Sequence, residues 1–217
     1  MTNSMRPLAI MGGAFDPVHY GHLRTAAELH EWLQLGELRF VPSANPPHRQ
    51  SPLASGELRV RMLRAAVDEL PWCSIDDREL QRQGPSWSVV TLEELRTEID
   101  TRSLCMILGM DAFLGLPSWH RWQELLGLAH IVVACRPGFQ PPSDGPLGDL
   151  LAAHGTTKPA ELQRTPAGRI LVHEVTQLEI ASSTIRERLL HGRGVRYLLP
   201  ESVRKIIEEA GCYAPGA

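Results

Sequence analysis

Apolar residues along the chain alternate between short unbroken runs and helically spaced stripes. Leu8, Ala9, Ile10 and Met11 form a run bounded by Gly12 and Gly13, which predicts a buried strand over 8–11. Over 21–33 the apolar positions Leu23, Ala26, Ala27, Leu29 and Leu33 predict a helix, and Gly36 follows as a stop signal. A second strand is predicted over 38–41, ended by Pro42. A helix over 57–70 carries Leu58, Met62, Ala65 and Ala66 on one side, and 88–99 reads as another. The continuous apolar run 104–108 predicts a buried strand; 119–128 reads as helical, and 131–135 and 170–172 as strands. Two helices follow, over 183–190 and 201–210. In the second, Val203, Ile206, Ile207 and Ala210 keep i, i+3, i+4, i+7 spacing before Gly211.

Strand and helix alternating at this spacing predict an α/β fold with a mainly parallel sheet covered on both faces. The right-handed crossover rule then gives a Rossmann-like, doubly wound layout with a helical segment over about 180–217. Two long loops interrupt it, 42–55, rich in Pro, Ser and Asn, and 136–148, which holds Arg-Pro-Gly and Pro-Pro. No shift in composition marks a boundary and no internal repeat occurs, so 1–217 is expected to be one domain. No pattern for an oligomeric interface stands out.

Composition narrows the function classes. A chain of 217 residues should bury roughly 70% of its unfolded surface, enough for a core without staples. Hydrophobic residues at 43% and charged residues at 22% argue against wholesale disorder. A net charge of −3 disfavours a dedicated nucleic-acid binder but leaves room for a local anion site. Cys73, Cys105, Cys135 and Cys212 have no C-x-x-C spacing, which points away from a metal or redox centre and towards a reducing cytoplasm. No signal-peptide pattern opens the sequence, and the longest apolar stretch, 125–135, contains His130 and is far short of a membrane span.

The chemistry concentrates in residues 12–22, GGAFDPVHYGH, between the first predicted strand and helix. In doubly wound sheets ligands bind beyond the carboxyl ends of strands, so this is an expected site. Gly12 and Gly13 allow close backbone approach to a ligand, and Pro17 stiffens the turn. His19 and His22 lie near the helix N-terminus, where free N–H groups and the helix dipole favour phosphate. As a bare pair, the two histidines are also compatible with metal ligation, though no carboxylate or cysteine completes a set. The segment is neither the dinucleotide fingerprint nor the GKS/T phosphate loop.

The combined string G-x-F-x-P-x-H-x-G-H resembles the signature of the HxGH nucleotidyltransferases, which transfer a nucleoside monophosphate and release pyrophosphate. Ala14 departs from it, where relatives often carry Thr or Ser. Further segments follow in order: PPHR at 46–49, PSWSVVT at 85–91, GMD at 109–111, PSWHRW at 117–122, RPG at 136–138, and IASSTIR at 180–186 before Arg188 and YLLP at 197–200. Taken together, over about residues 8–210, they resemble the bacterial nicotinate-nucleotide adenylyltransferases. The resemblance implies AMP transfer from ATP to nicotinic acid mononucleotide in NAD biosynthesis. It also implies site roles. Gly12, Gly13, Phe15, His19 and His22 match the ATP-binding signature, and Asp111 the aspartate near the ribose. Ser182, Ser183 and Arg186 match the element reaching the ATP phosphates; Ala181 departs from it. Ser86, Trp87 and Thr91 match the segment meeting the nicotinate carboxylate. Trp119 matches the residue stacked on the pyridine ring, and Arg136 the RPG arginine of the cleft. His19, His22 and Arg186 are the expected catalytic residues.

Taken one at a time, several of these residues also suit plain structural roles. Trp119 and Trp122 at i, i+3 suit a core. Asp111 and the Ser182-Ser183-Thr184 run suit helix N-caps. Arg186 and Arg188 suit a solvated helix face, and His48 a loop. His30, His120, His130, His154, His173 and His191 carry no motif. The implied reaction needs Mg²⁺ with ATP but no all-protein metal cage, and no membrane or nucleic-acid partner. Rivals on the same fold accept nicotinamide mononucleotide, accept phosphopantetheine (His19 argues against it), or use CTP. A class I synthetase fragment would need a KMSKS-like loop, which is absent from the sequence. A nucleotide sensor would not need both histidines.

Overall fold

The computed structural model describes residues 6–45 and 51–214. The chain runs β1 (Leu8–Gly13), α1 (Tyr20–Leu33), β2 (Glu37–Pro42), α2 (Gly56–Val67), β3 (Cys73–Ile75), α3 (Arg78–Gln81) and α4 (Ser88–Ile99). It continues through β4 (Leu104–Gly109), α5 (Met110–Leu114), α6 (Leu125–Leu128), β5 (His130–Cys135), α7 (Gly145–His154) and β6 (Gly155–Thr156). The remaining elements are α8 (Pro159–Leu162), β7 (Ile170–Glu174), α9 (Ser182–Leu190) and α10 (Glu201–Ala210). The seven strands among the described residues form one sheet in the order β3-β2-β1-β4-β5-β7-β6. Every pairing is parallel.

The unbroken apolar runs follow from burial on both faces of this sheet. Leu8 and Ile10 enter one core while Ala9 and Met11 enter the other. In β4, Leu104, Met106 and Leu108 face one side and Cys105 and Ile107 the opposite one. Helices cover each side. Ala26 and Leu29 of α1 and Met62 and Leu63 of α2 pack on the face of Ala9 and Met11, and Ile185 of α9 and Val203 of α10 join the same core, α10 lying against α2. Val89 and Leu92 of α4, Phe113 of α5 and Leu147 of α7 pack on the face of Leu8 and Ile10.

The strand order reverses between β1 and β4, where Met11 lies opposite Ile107. Their carboxyl ends, Gly12-Gly13 and Gly109, therefore flank a crevice at the switch point, where such sheets hold ligands. An added Cβ at Gly12 or at Gly109 would meet no atom within 4 Å.

Some elements differ from the sequence reading. The helix expected over 119–128 is one 3₁₀ turn, Trp122–Glu124, and the short α6, with a further 3₁₀ turn, Leu116–Ser118, just before the span. Arg121 breaks it by adopting a left-handed backbone, φ 52°. The loop expected over 136–148 ends earlier, because α7 begins at Gly145. The helix expected over 57–70 stops at Val67.

Candidate active site

The β1–α1 turn is held by one buried carboxylate. Asp16 is 2% exposed. Its Oδ2 accepts from the Leu53 amide at 2.8 Å, and its Oδ1 from the Ala54 amide at 3.0 Å and the Tyr213 hydroxyl at 2.5 Å. Arg59, also buried, donates to the carbonyls of Ala14 at 2.7 Å and Ala54 at 3.2 Å. Burial pulls the Arg59 pKa down, while Asp16 and Tyr213 oppose the shift. Burial, followed by the Asp16 contact, holds the Tyr213 hydroxyl far above its ordinary pKa, so it stays a donor. The sequence pattern assigns no role to Asp16, Arg59 or Tyr213. Their roles depend on partners far away in the chain; the one local signal is a carboxylate inside an otherwise neutral turn.

On this frame the two motif histidines come together. Phe15 takes a left-handed backbone, φ 48°, unusual for a side chain of its size. Its buried ring meets Phe40 edge-on at 5.4 Å and His22 edge-on at 5.0 Å. His19 occupies the N-cap position of α1 in extended conformation, without a side-chain cap. Its carbonyl accepts from His22 N at 3.0 Å and Leu23 N at 3.2 Å, and its ring stacks on His22 at 3.7 Å. His19 is 5% exposed, and its Nδ1 finds no hydrogen-bond partner among the described residues. Burial lowers its pKa to about 4, so the free imidazole is neutral at pH 7.

α9 docks onto the same turn. Ser182 Oγ donates to the Pro17 carbonyl at 2.9 Å. Arg186 donates to the Asp16 carbonyl at 2.6 Å and lies 3.6 Å from Asp16 Oδ2. Ser183 is exposed in the first turn of α9. The structure thus brings Gly12, Gly13, Phe15, His19, His22, Ser182 and Arg186 to one corner. The expected Ser182-Ser183-Thr184 cap is replaced by Ala181 at the N-cap position, because Ser182 Oγ is drawn to Pro17. Asp111 lies exposed across the crevice in the first turn of α5, whose N-cap position is Gly109.

The residues matched to nicotinate form a second group. Ser86 Oγ accepts from the amides of Ala44 at 2.9 Å and Asn45 at 3.2 Å, tying the β2 exit to the start of α4. Trp87 stacks on His120 at 4.0 Å, a residue inside PSWHRW to which the sequence reading gives no role. Trp119 and Trp122 are packed against the core beneath α4. Thr91 is 1% exposed; its hydroxyl donates to Glu79 at 2.6 Å and accepts from Arg82 at 3.2 Å, so it braces the wall of α4. Burial pushes the Glu79 carboxyl up, and Thr91 and Ser86 oppose the shift. Arg136 is exposed at the exit of β5, bonded to Gln177 at 2.9 Å and 3.7 Å from Glu179. The PPHR segment at 46–49 lies outside the described residues.

No cluster of three His, Cys, Asp or Glu able to hold a metal occurs among the described residues. The Asp16 oxygens are occupied by Leu53, Ala54 and Tyr213. No described helix is long and apolar enough to cross a membrane. What the corner offers is a backbone opening, two stacked imidazoles, a helix N-terminus and a guanidinium, a set suited to a polyphosphate.

Comparison with known proteins gives a consistent picture. The cytidylyltransferase-like family model matches residues 10–188. A protein of Halorhodospira halophila is 48% identical over 98% of both chains, and one of Aeromonas hydrophila is 47% identical over 96% of this chain and 98% of its own. Both are named probable nicotinate-nucleotide adenylyltransferase. Among solved structures, Plasmodium falciparum nicotinic acid mononucleotide adenylyltransferase complexed with NaAD superposes with a TM-score of 0.72 at 14% identity. The alignment covers 96% of this chain and 97% of that one. At that identity the likeness bears on the fold.

Proposed function

The chain belongs to the cytidylyltransferase-like family and, within it, to the nicotinate-nucleotide adenylyltransferases, and we propose that its reaction runs in the crevice between Gly12-Gly13 and Gly109. It is an enzyme that transfers AMP from ATP to nicotinic acid mononucleotide, giving nicotinic acid adenine dinucleotide and pyrophosphate. The observation that carries the placement is the convergence of stacked His19 and His22 with Arg186 on one turn at the switch point.

The nucleophile is the 5′-phosphate of the mononucleotide, largely dianionic at pH 7 because its second pKa is about 6. No general base is required. One of its oxygens forms a bond to the α-phosphorus of ATP, and the bond from that phosphorus to the bridging α–β oxygen breaks. Pyrophosphate leaves with the electron pair. Catalysis is then positioning and charge stabilisation. Neutral His19 and its neighbour His22 hold α- and β-phosphate oxygens, and Arg186 grips the leaving side. Gly12 admits the phosphates without a side chain in the way, and Gly13 leaves room for the Phe15 ring, 3.1 Å from where its Cβ would stand. Asp111 meets the ribose, and Ser182 and Ser183 line the phosphate end. Mg²⁺ supplied with ATP would lower the charge repulsion of the triphosphate, and no residue of this chain is assigned to hold it.

The mononucleotide lies toward α4, with its pyridine ring against Trp119 and Arg136 at the cleft edge. α4 starts at Ser88 with no side-chain cap and no acidic residue in its first turn. Its positive end favours the nicotinate carboxylate over an amide. The chain acts as one catalytic unit, a reading supported by the contacts of Arg186 and Tyr213 with Asp16. A cytoplasmic setting is supported by its four free cysteines.

A single displacement inverts configuration at the α-phosphorus. ATP carrying a chiral α-thiophosphate should therefore yield inverted dinucleotide. Retention would require a protein-bound intermediate and would overturn this mechanism.

A further inference from the structure

The carboxylate of Asp16 joins three segments distant in sequence, and only one of them contains a residue assigned to the reaction. Tyr213, just past α10, reaches back to Asp16 Oδ1 at 2.5 Å across 197 positions. Its ring is buried, 7% exposed, and it adopts a left-handed backbone, φ 63°, two residues after the left-handed Gly211 that ends α10. The same carboxylate accepts the amides of Leu53 and Ala54, immediately before the Ser55 cap of α2. Arg186 binds the carbonyl of this same residue and lies 3.6 Å from Oδ2. Asp16 is followed by Pro17, whose carbonyl takes the Ser182 hydroxyl, and two residues further on stands His19.

The Tyr213 hydroxyl, the Leu53 and Ala54 amides and the Arg186 guanidinium thus share one buried carboxylate, and the orientation of each depends on the others. If the Tyr213 hydroxyl is removed, Oδ1 retains only the Ala54 amide. The Arg186 guanidinium, already beside the carboxylate, is then free to turn from the Asp16 carbonyl towards it. That turn would draw Arg186 away from the crevice.

We propose that Tyr213 is a positioning residue for the adenylyl transfer, which by satisfying Asp16 keeps Arg186 aimed at the ATP polyphosphate. This rests on the assignment of Arg186 to the leaving phosphates. A merely structural Tyr213 would act on stability and on both substrates alike. A positioning Tyr213 acts on the ATP side and only while Arg186 is present.

The test is a double-mutant cycle with Tyr213→Phe, which retains the ring, and Arg186→Lys, which retains a charge without the planar fork. Initial rates would be measured with each substrate varied in turn, and melting temperature would be followed in parallel. Tyr213→Phe alone should lower kcat/KM for ATP roughly tenfold, the scale of a lost charge-assisted hydrogen bond, with KM for the mononucleotide within about twofold of the parent. In the Arg186→Lys background the same change should have little further effect. Equal losses in both backgrounds, or equal rises in KM for the two substrates, would overturn the proposal and leave the assignment of Arg186 standing. Parent-like kinetics for Arg186→Lys and for Arg186→Ala would overturn that assignment, and the role of Tyr213 with it.

Discussion

Arg186 and Asp16 stand 170 positions apart, yet the guanidinium of one donates to the carbonyl of the other at 2.6 Å. That bond joins α9 to the β1–α1 turn and brings a positive charge beside His19 and His22. The carboxylate beneath it also bonds Leu53, Ala54 and Tyr213. Asp16→Asn keeps the shape but turns an NH₂ group towards these donors. It should lower the melting temperature by about 5–10 °C, as expected for buried donors left unsatisfied in a chain of this size. A melting temperature within a degree of the parent would show that Asp16 is not the joint described.

His22 stacks on His19 and is wedged by Phe15. His22→Ala removes a preorganised donor and should lower kcat by roughly two or more decades, with the fold intact by circular dichroism. Turnover near that of the parent enzyme would remove His22 from the reaction.

Trp119 packs against the core cluster that contains α4, whereas Phe15 and Ile185 belong to the other core. Trp119→Ala should raise KM for the pyridine nucleotide more than KM for ATP. The opposite pattern would mean that the two substrates lie the other way round.

Thr91 offers a sharper distinction. Its buried hydroxyl is committed to Glu79 and Arg82. Thr91→Val should cost about 1–3 kcal/mol of stability by leaving buried polar groups unpaired. Substrate KM values should stay within about twofold. A large rise in mononucleotide KM without loss of stability would place the hydroxyl on the substrate instead.

Burial holds His19 at about 4, against 6.5 for the exposed ring. Between these values the unfolded chain binds a proton that the folded chain refuses. Stability from this residue is therefore full above pH 6.5 and declines as pH falls towards 4. The whole difference is on the order of 3 kcal/mol. His19→Gln should melt with a visibly shallower dependence on pH across this window. An unchanged slope would indicate that His19 is solvated.

The parts legible in the sequence are those whose cause is local. β1, β4 and β5 announce themselves because both faces are buried, which leaves unbroken apolar runs. α10 shows as a stripe because one face is buried against α2 in the shared core. β3, only three half-buried residues, and β6, only two, carry too short a pattern to read. The break at Arg121 depends on a backbone conformation that residue type does not announce. The same division holds at the site. GGAFDPVHYGH is contiguous, so its chemistry can be read directly. Asp16, Arg59, Tyr213 and the Trp87–His120 stack acquire meaning only when distant segments meet.

AMP transfer to the acid form of a pyridine mononucleotide is tested most directly by pyrophosphate release. The assay supplies MgATP with nicotinic acid mononucleotide, beside nicotinamide mononucleotide and phosphopantetheine in parallel. Strong release with the acid, matched mole for mole by nicotinic acid adenine dinucleotide, and little with the others is the predicted result. Release with none of the three, from folded protein that still binds ATP, would contradict the acceptor and leave only the nucleotide cradle.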